Sequence, residues 1–207
     1  MKLKELFREN NLLEMSIARE GDWKQDIEYL ANISEFVINH KYELLTDKFK
    51  VGATTYSLYR LKNTNHFKIG EFYEESENKF RVVLESTLSD ETIHNLVIKN
   101  LKNVNEIQVI SSLQGRGIAK QFYRYLVKHM KFSLMGDIEQ FFGARRLWAS
   151  LNKDIDIVVD IVDIKKGIYI EQNVILHHGS YDADFDTRIW SYANDKAHLR
   201  LILTDIR

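Results

Sequence analysis

The residues best placed to do chemistry are two glycines one position apart. In "IQVISSLQGRGIAKQFYRYLVKHMK", Ile107 to Lys131, an alternating apolar run reaches Gly115 and Gly117, and a long amphipathic segment follows. Glycine has no Cβ, so the backbone turns tightly there and a ligand can approach its amides closely. The first N–H groups of a helix lack internal partners and carry the positive end of its dipole. A strand, a glycine turn and a helix N-terminus in that order suit a diphosphate. Arg116, Lys120, Arg124 and Lys128 recur every four residues as one basic stripe. Arg116 and Lys120 fall within a turn of the phosphate position, whereas Arg124 and Lys128 read as solvation of the outer face. Ile118, Phe122, Tyr125, Leu126 and His129 form the side expected to be buried.

Three kinds of phosphate turn compete for this stretch. A P-loop needs G-x-x-x-x-G-K-[ST], which the chain lacks. A Rossmann turn needs a third glycine, where Lys120 stands, and a turn directly after its strand, where "SSLQ" intervenes. Apparent hairpins follow later, where a dinucleotide domain would continue with βαβ units. The third kind fits. "QGRGIA", Gln114 to Ala119, resembles the Q/R-x-x-G-x-G/A signature of the GNAT acyltransferase superfamily. "IQVISSLQGRGIA" has that family's spacing of strand, four-residue connection and turn, and "GARRLWASL" is similar to its second helical motif. The motif-bearing resemblance covers roughly residues 100–152. More loosely, "DIEQFFGARRLWASL" resembles helices of phage-encoded GNAT-like proteins.

The resemblance implies an acetyl-CoA-dependent N-acetyltransferase with an amine acceptor, in a cleft where the fourth and fifth strands splay. Amides of Gln114, Gly115, Arg116, Gly117, Ile118 and Ala119 would hold the pyrophosphate. Backbone groups of Val109 and Ser111 would pair with the pantetheine arm, and Lys120 or Arg116 would reach the ribose phosphate. The catalytic positions depart from the family. Where many members carry a tyrosine acid this chain has Trp148, whose indole donates a hydrogen bond but is no proton acid near neutrality. Counting back nine and eleven residues from Gln114 reaches Asn105 and Asn103, which can orient a water but are no bases. Glu106 is adjacent, on the other strand face. The CoA thiolate would then be protonated by water or by a tyrosine such as Tyr123 or Tyr169. The competing expectation is a fold kept as a binding scaffold with weak or no turnover, such as a viral factor acting on a host component.

The elements that must position these residues follow from periodicity. The chain has 207 residues and a formal net charge of −1. That length suits a single domain over 1–207, and near-neutrality argues against general nucleic-acid binding. No cysteine is present, which excludes disulfides, thiolate nucleophiles and cysteine-ligated zinc. Without an apolar run of about 18 residues or a signal-peptide pattern, the expectation is a cytoplasmic protein that crosses no membrane. Residues 1–40 read as helices, with Leu3, Leu6, Phe7, Leu13 and Ile17, then Trp23, Ile27, Leu30, Ile33 and Val37, near helical spacing. In the core, 53–152, "ATTYSLYRL", "FKIGEFYEE" and "KFRVVLEST" form an antiparallel meander. "VNEIQVI" is the next strand and "KFSLM" a short one after the helix, a βαβ-like crossing over 104–135. Ile138, Phe141, Ala144, Trp148 and Leu151 share one face of a second helix. In 153–207 a hairpin turns at Lys165, Lys166 and Gly167, and "LRLILTDI" is a last strand. The fold class is thus α/β (α+β), a mixed, mostly antiparallel sheet flanked by helices. Edge strands of the final hairpin suggest a homodimer.

No metal site is expected. Asp182, Asp184 and Asp186 have calcium-loop spacing, but Thr187 and Ala193 replace that loop's glycine and glutamate. His177 and His178 would face opposite ways on a strand. Asp137 and Gln140 read as capping the second helix.

Overall fold

The computed structural model describes residues 41–74, 79–136, 142–176 and 198–206, together with Ile189. The expected helices of 1–40, the histidine pair, the aspartate loop, and Asp137, Ile138, Gln140 and Phe141 lie outside the described residues. Nine strands are described, and they are mostly antiparallel: β1 (Tyr42–Val51), β2 (Thr54–Leu61), β3 (His66–Glu74), β4 (Lys79–Asp90), β5 (Leu101–Val109), β6 (Ser133–Met135), β7 (Ile157–Asp163), β8 (Ile168–Glu171) and β9 (Leu199–Asp205). Two α-helices accompany them, α1 (Ile118–Lys128) and α2 (Phe142–Leu151). The chain divides into two compact units, one taking residues up to Leu88 and Asn105–Gln121, the other Ser89–Val104 and Phe122–Arg207.

In the first unit β1, β2, β3 and β4 form an antiparallel meander, with registers such as Tyr56 opposite Phe49, Leu58 opposite Ile69, and Ile69 opposite Leu84. β2 to β4 stand where the period-two pattern puts them. β1 is an addition to the three-strand expectation. Its alternation is broken by register shifts between Leu44 and Thr46 and between Thr46 and Phe49. Bulges of this kind suit a strand that carries Asp47, Lys48 and Lys50. Alternation on β2, β3 and β4 sends Leu58, Phe67, Ile69 and Leu84 into the interior, where each is essentially inaccessible.

In the second unit the strand order is β5, β6, β9, β7, β8. Only β5 and β6 run parallel, Leu101 to Asn103 lying opposite Ser133 to Met135. A parallel neighbour requires a crossover, and α1 supplies it. β9 is inserted between β6 and β7, so of the last strands only β8 is an edge among the described ones. Leu134, Val159, Leu201, Ile202 and Leu203 fill this core. A satellite cluster joins Ile93, Leu101, Met135, Val162 and Ile202, with Leu96, Ile98, Ile164 and Tyr169 packed against it.

α1 corrects two sequence expectations. Its buried residues are Ile118, Phe122, Tyr123, Leu126 and Val127, while Tyr125 is half-buried and His129 exposed. A burial stripe that drifts from 118 and 122 to 123, 126 and 127 leaves His129 past the helix end and outside the core. Arg124 and Lys128 do not merely solvate the outer face. Arg124 donates to Asp154 at 2.5 Å and to both oxygens of Asp156 at 3.2 and 3.1 Å. Lys128 bonds the Asp156 carbonyl at 2.5 Å and the Asp205 carboxylate, which also holds Lys131 at 3.0 Å. Helical spacing could not reveal these partners, because they are 28 to 77 residues away in sequence.

Two outcomes follow. Hydrogen bonds from Lys128 and Lys131 hold Asp205 below the usual carboxylate range. Burial pushes Asp156 up, but Lys128 and Arg124 outweigh it and lower it as well. Groups depressed in the folded state stabilise it above their unfolded value of about 4, and that stabilisation is lost as pH falls through the folded values. Urea midpoints measured from pH 6 downward therefore fall with acid, and Asp205→Asn flattens that slope while costing about 0.5–1 kcal/mol at pH 7. Gly167, at φ 66°, makes the β7–β8 turn so close to the 93–96 loop that a Cβ would overlap the His94 carbonyl oxygen. Gly167→Ala is expected to cost about 2 kcal/mol or more in the same measurement, because strain and a backbone clash coincide.

Candidate functional site

The glycine turn sits in the first unit. β5 ends at Val109, Ser111–Leu113 form one 3₁₀ turn, Gln114 is extended at φ −60°, ψ 150°, and α1 begins at Ile118. Gly115 and Gly117 have φ of 73° and 84°, and a Cβ on either would meet nothing within 4 Å. Backbone conformation, with no need for space inside the fold, therefore requires glycine at both places. Gln114, Gly115, Arg116 and Gly117 are exposed.

The amides of the turn divide into two sets. Those of Gln114 and Arg116 are used, donating to Ser111 at 3.3 Å and to Leu113 at 3.4 Å. The first helical bond runs from Gln121 N–H to the Gly117 carbonyl at 3.0 Å, which makes Gly117 the cap residue. Those of Gly115, Gly117, Ile118 and Ala119 have no acceptor among the described residues. The set of amides open to an anion is thus narrower than the sequence suggested. The Arg116 guanidinium is exposed with no partner among the described residues, while Lys120 is half-buried.

β5 leads to the turn with one edge already used. Ile110 donates to the Val83 carbonyl at 3.1 Å, and the Glu106 carbonyl accepts from the Ser86 hydroxyl at 2.8 Å. Strand alternation then sends the main-chain groups of Asn105, Ile107 and Val109 to the opposite edge. β6 is in register only as far as Asn103, so beyond it that edge has no strand among the described residues. The Val109 carbonyl is taken by the Gln114 side chain at 3.0 Å, and the Ser111 carbonyl by the Gln114 amide. An extended ligand would thus find the Val109 N–H and would have to displace Gln114 to reach that residue's carbonyl.

The catalytic candidates are divided between the units. Asn105 lies exposed on β5 in the first unit with the turn. Asn103 is half-buried in the second, as is Tyr169 on β8. Trp148 on α2 is 2% exposed, with its ring edge-on to Tyr123 at a 6.0 Å centroid separation. Burial pushes the Tyr123 phenol well above the usual tyrosine range, so it holds its proton. Among the described residues no group of three or more His, Asp or Glu side chains forms a metal site, and no helix is long and apolar enough to cross a membrane. The chain matches no family model, no curated protein and no solved structure.

The positive φ values make the turn testable without any ligand. Gly117→Ala is expected to lower stability by about 1–2 kcal/mol through left-handed strain alone. A D-alanine introduced there by semisynthesis, which favours positive φ, restores it. Thermal melts of the two proteins distinguish conformational strain from steric conflict.

Proposed function

We propose that the protein is a GNAT-like N-acetyltransferase, which binds acetyl-CoA at the glycine turn and transfers the acetyl group to an amine. The observation that carries this reading is the set of four amides, at Gly115, Gly117, Ile118 and Ala119, that have no acceptor among the described residues, the two glycines being exposed. They lie at and just before the N-terminus of α1, with an exposed Arg116 that has no partner among the described residues, an arrangement suited to a pyrophosphate. Two further features support it. The order of elements (meander, β5, glycine turn, α1, parallel β6, α2, strands) puts "QGRGIA" between a strand and a helix, as the resemblance expects. The edge of β5 past Asn103 offers main-chain groups to an extended pantetheine arm. In this reading the amine attacks the thioester carbonyl directly, and positioning and polarisation by backbone donors carry the catalysis.

A second reading is favoured by Trp148 and Tyr123. Both are buried and Tyr123 retains its proton, so neither is a ready acid for a CoA thiolate. In that reading the fold binds CoA, or a partner, without turnover.

Titration calorimetry with acetyl-CoA is expected to show binding by the wild type and at least a tenfold loss in Gly117→Glu, which adds strain and a negative charge at the phosphate. Absence of binding by the wild type refutes both readings. Incubation with radiolabelled acetyl-CoA and a cell lysate then separates them: label moves to an acceptor if the enzyme reading holds, and stays on CoA if the scaffold reading holds.

A further inference from the structure

The first unit carries a second group of titratable side chains, on the meander and apart from the glycine turn. β3 and β4 set Lys68 opposite Glu85, and His66 lies two residues before Lys68 on the same strand face. His66 Nε2 is 2.5 Å from Glu85 Oε1, and Lys68 Nζ is 3.2 Å from Glu85 Oε2. The Lys68 side chain is 2% exposed, a costly place for an ammonium when a cross-strand apolar pair would serve folding as well or better. A carboxylate only accepts, so the ring nitrogen facing Glu85 must carry a proton, and the neutral imidazole is fixed as its Nε2–H tautomer.

That leaves Nδ1 with its lone pair. It has no partner among the described residues and is not sealed from solvent. The Tyr42 ring, from β1, stands edge-on to the imidazole at a 6.2 Å centroid separation and bounds one side of it. Burial pushes the Glu85 carboxyl up, but the hydrogen bond from His66 and the charge of Lys68 outweigh it and hold it below the usual range. The carboxylate therefore stays ionised, ready to balance a positive charge on the ring.

We propose that His66 and Glu85 form an acid–base dyad in which Nδ1 takes a proton from an O–H or N–H of a ligand bound beside Tyr42, while Glu85 orients the ring and balances the imidazolium. Buried Lys68 anchors the carboxylate from its other oxygen. The ligand class is a proton-bearing nucleophile, an amine, an alcohol or water. The dyad stands on its own geometry and does not depend on CoA binding.

The test needs no CoA. Long-range ¹H–¹⁵N spectra of the full chain, assigned with His66→Asn, are expected to show His66 as the Nε2–H tautomer once its ring is neutral. With p-nitrophenyl acetate as probe, water gives a proton to Nδ1 and its oxygen bonds to the acetyl carbon. The ester C–O bond then breaks, p-nitrophenolate leaves, and the proton returns to solvent. His66→Asn is expected to slow release of p-nitrophenolate at pH 8 at least tenfold. Glu85→Gln slows it too and allows the Nδ1–H tautomer to appear. An Nδ1–H tautomer in the wild type, a ring doubly protonated throughout pH 6–9, or an unchanged rate in folded His66→Asn overturns the dyad. If a variant does not fold, an Nδ1–H tautomer in the wild-type spectra still overturns the dyad.

Discussion

Left-handed backbone at Gly115 and Gly117 is the constraint on which the rest of the arrangement depends. β5 must end, reverse its local course and become α1 within eight residues, because α1 is the crossover that returns the chain to a parallel β6. Positive φ costs an L-residue roughly 1–2 kcal/mol and costs glycine almost nothing. The same geometry that makes the turn short leaves the amides of Gly115, Gly117, Ile118 and Ala119 without an acceptor among the described residues. An anion bound there would use donors that the fold already leaves open, at no separate structural cost.

What held the crossover in place was not legible in the sequence. The stripe at Arg116, Lys120, Arg124 and Lys128 is visible as a period of four, but nothing local says that its second half meets Asp154, Asp156 and Asp205. Periodicity reports which face a residue occupies and is silent on what stands opposite. The strands show the same limit from another side. β2, β3, β4 and β5 were readable from alternation, whereas β7 and β9, buried on both faces, were readable as nearly continuous apolar runs. β1 has neither pattern: bulges shift its register, and charged residues occupy half its middle, so its pairing with β2 emerges only in three dimensions. β8 stops at Glu171, and beyond it Asn173, at φ 51°, leaves the extended course and donates its amide to Asp160 at 2.8 Å.

The site was legible in the same partial way. Glycine spacing located the turn, and the conformations there agree with it. The hydrogen-bond accounting did not follow from spacing, since Gln114 and Arg116 spend their amides on the 3₁₀ turn and the Gln114 side chain closes on Val109. His66 and Glu85 escaped notice for a different reason. They are 19 residues apart on two strands, and they meet only because the β3–β4 register sets Lys68 opposite Glu85. A polar residue in an alternating strand reads as the solvent side of the pattern. Here that side carries a buried ammonium.

The two faces of the meander thus divide the work of the first unit. Leu58, Phe67, Ile69 and Leu84 on one face supply the burial that makes the sheet stable. With that face secured, the other can hold Tyr42, His66, Lys68 and Glu85, an arrangement whose desolvation cost folding alone gives no reason to accept. Each pair in it restricts the next. Lys68 keeps Glu85 ionised and in place, Glu85 fixes the proton on Nε2, and the fixed proton leaves Nδ1 as an acceptor. Glu85, the most exposed of the three at 34% against 20% for His66 and 2% for Lys68, is held from both sides, so the position left open to a ligand is the His66 Nδ1 and not the carboxylate.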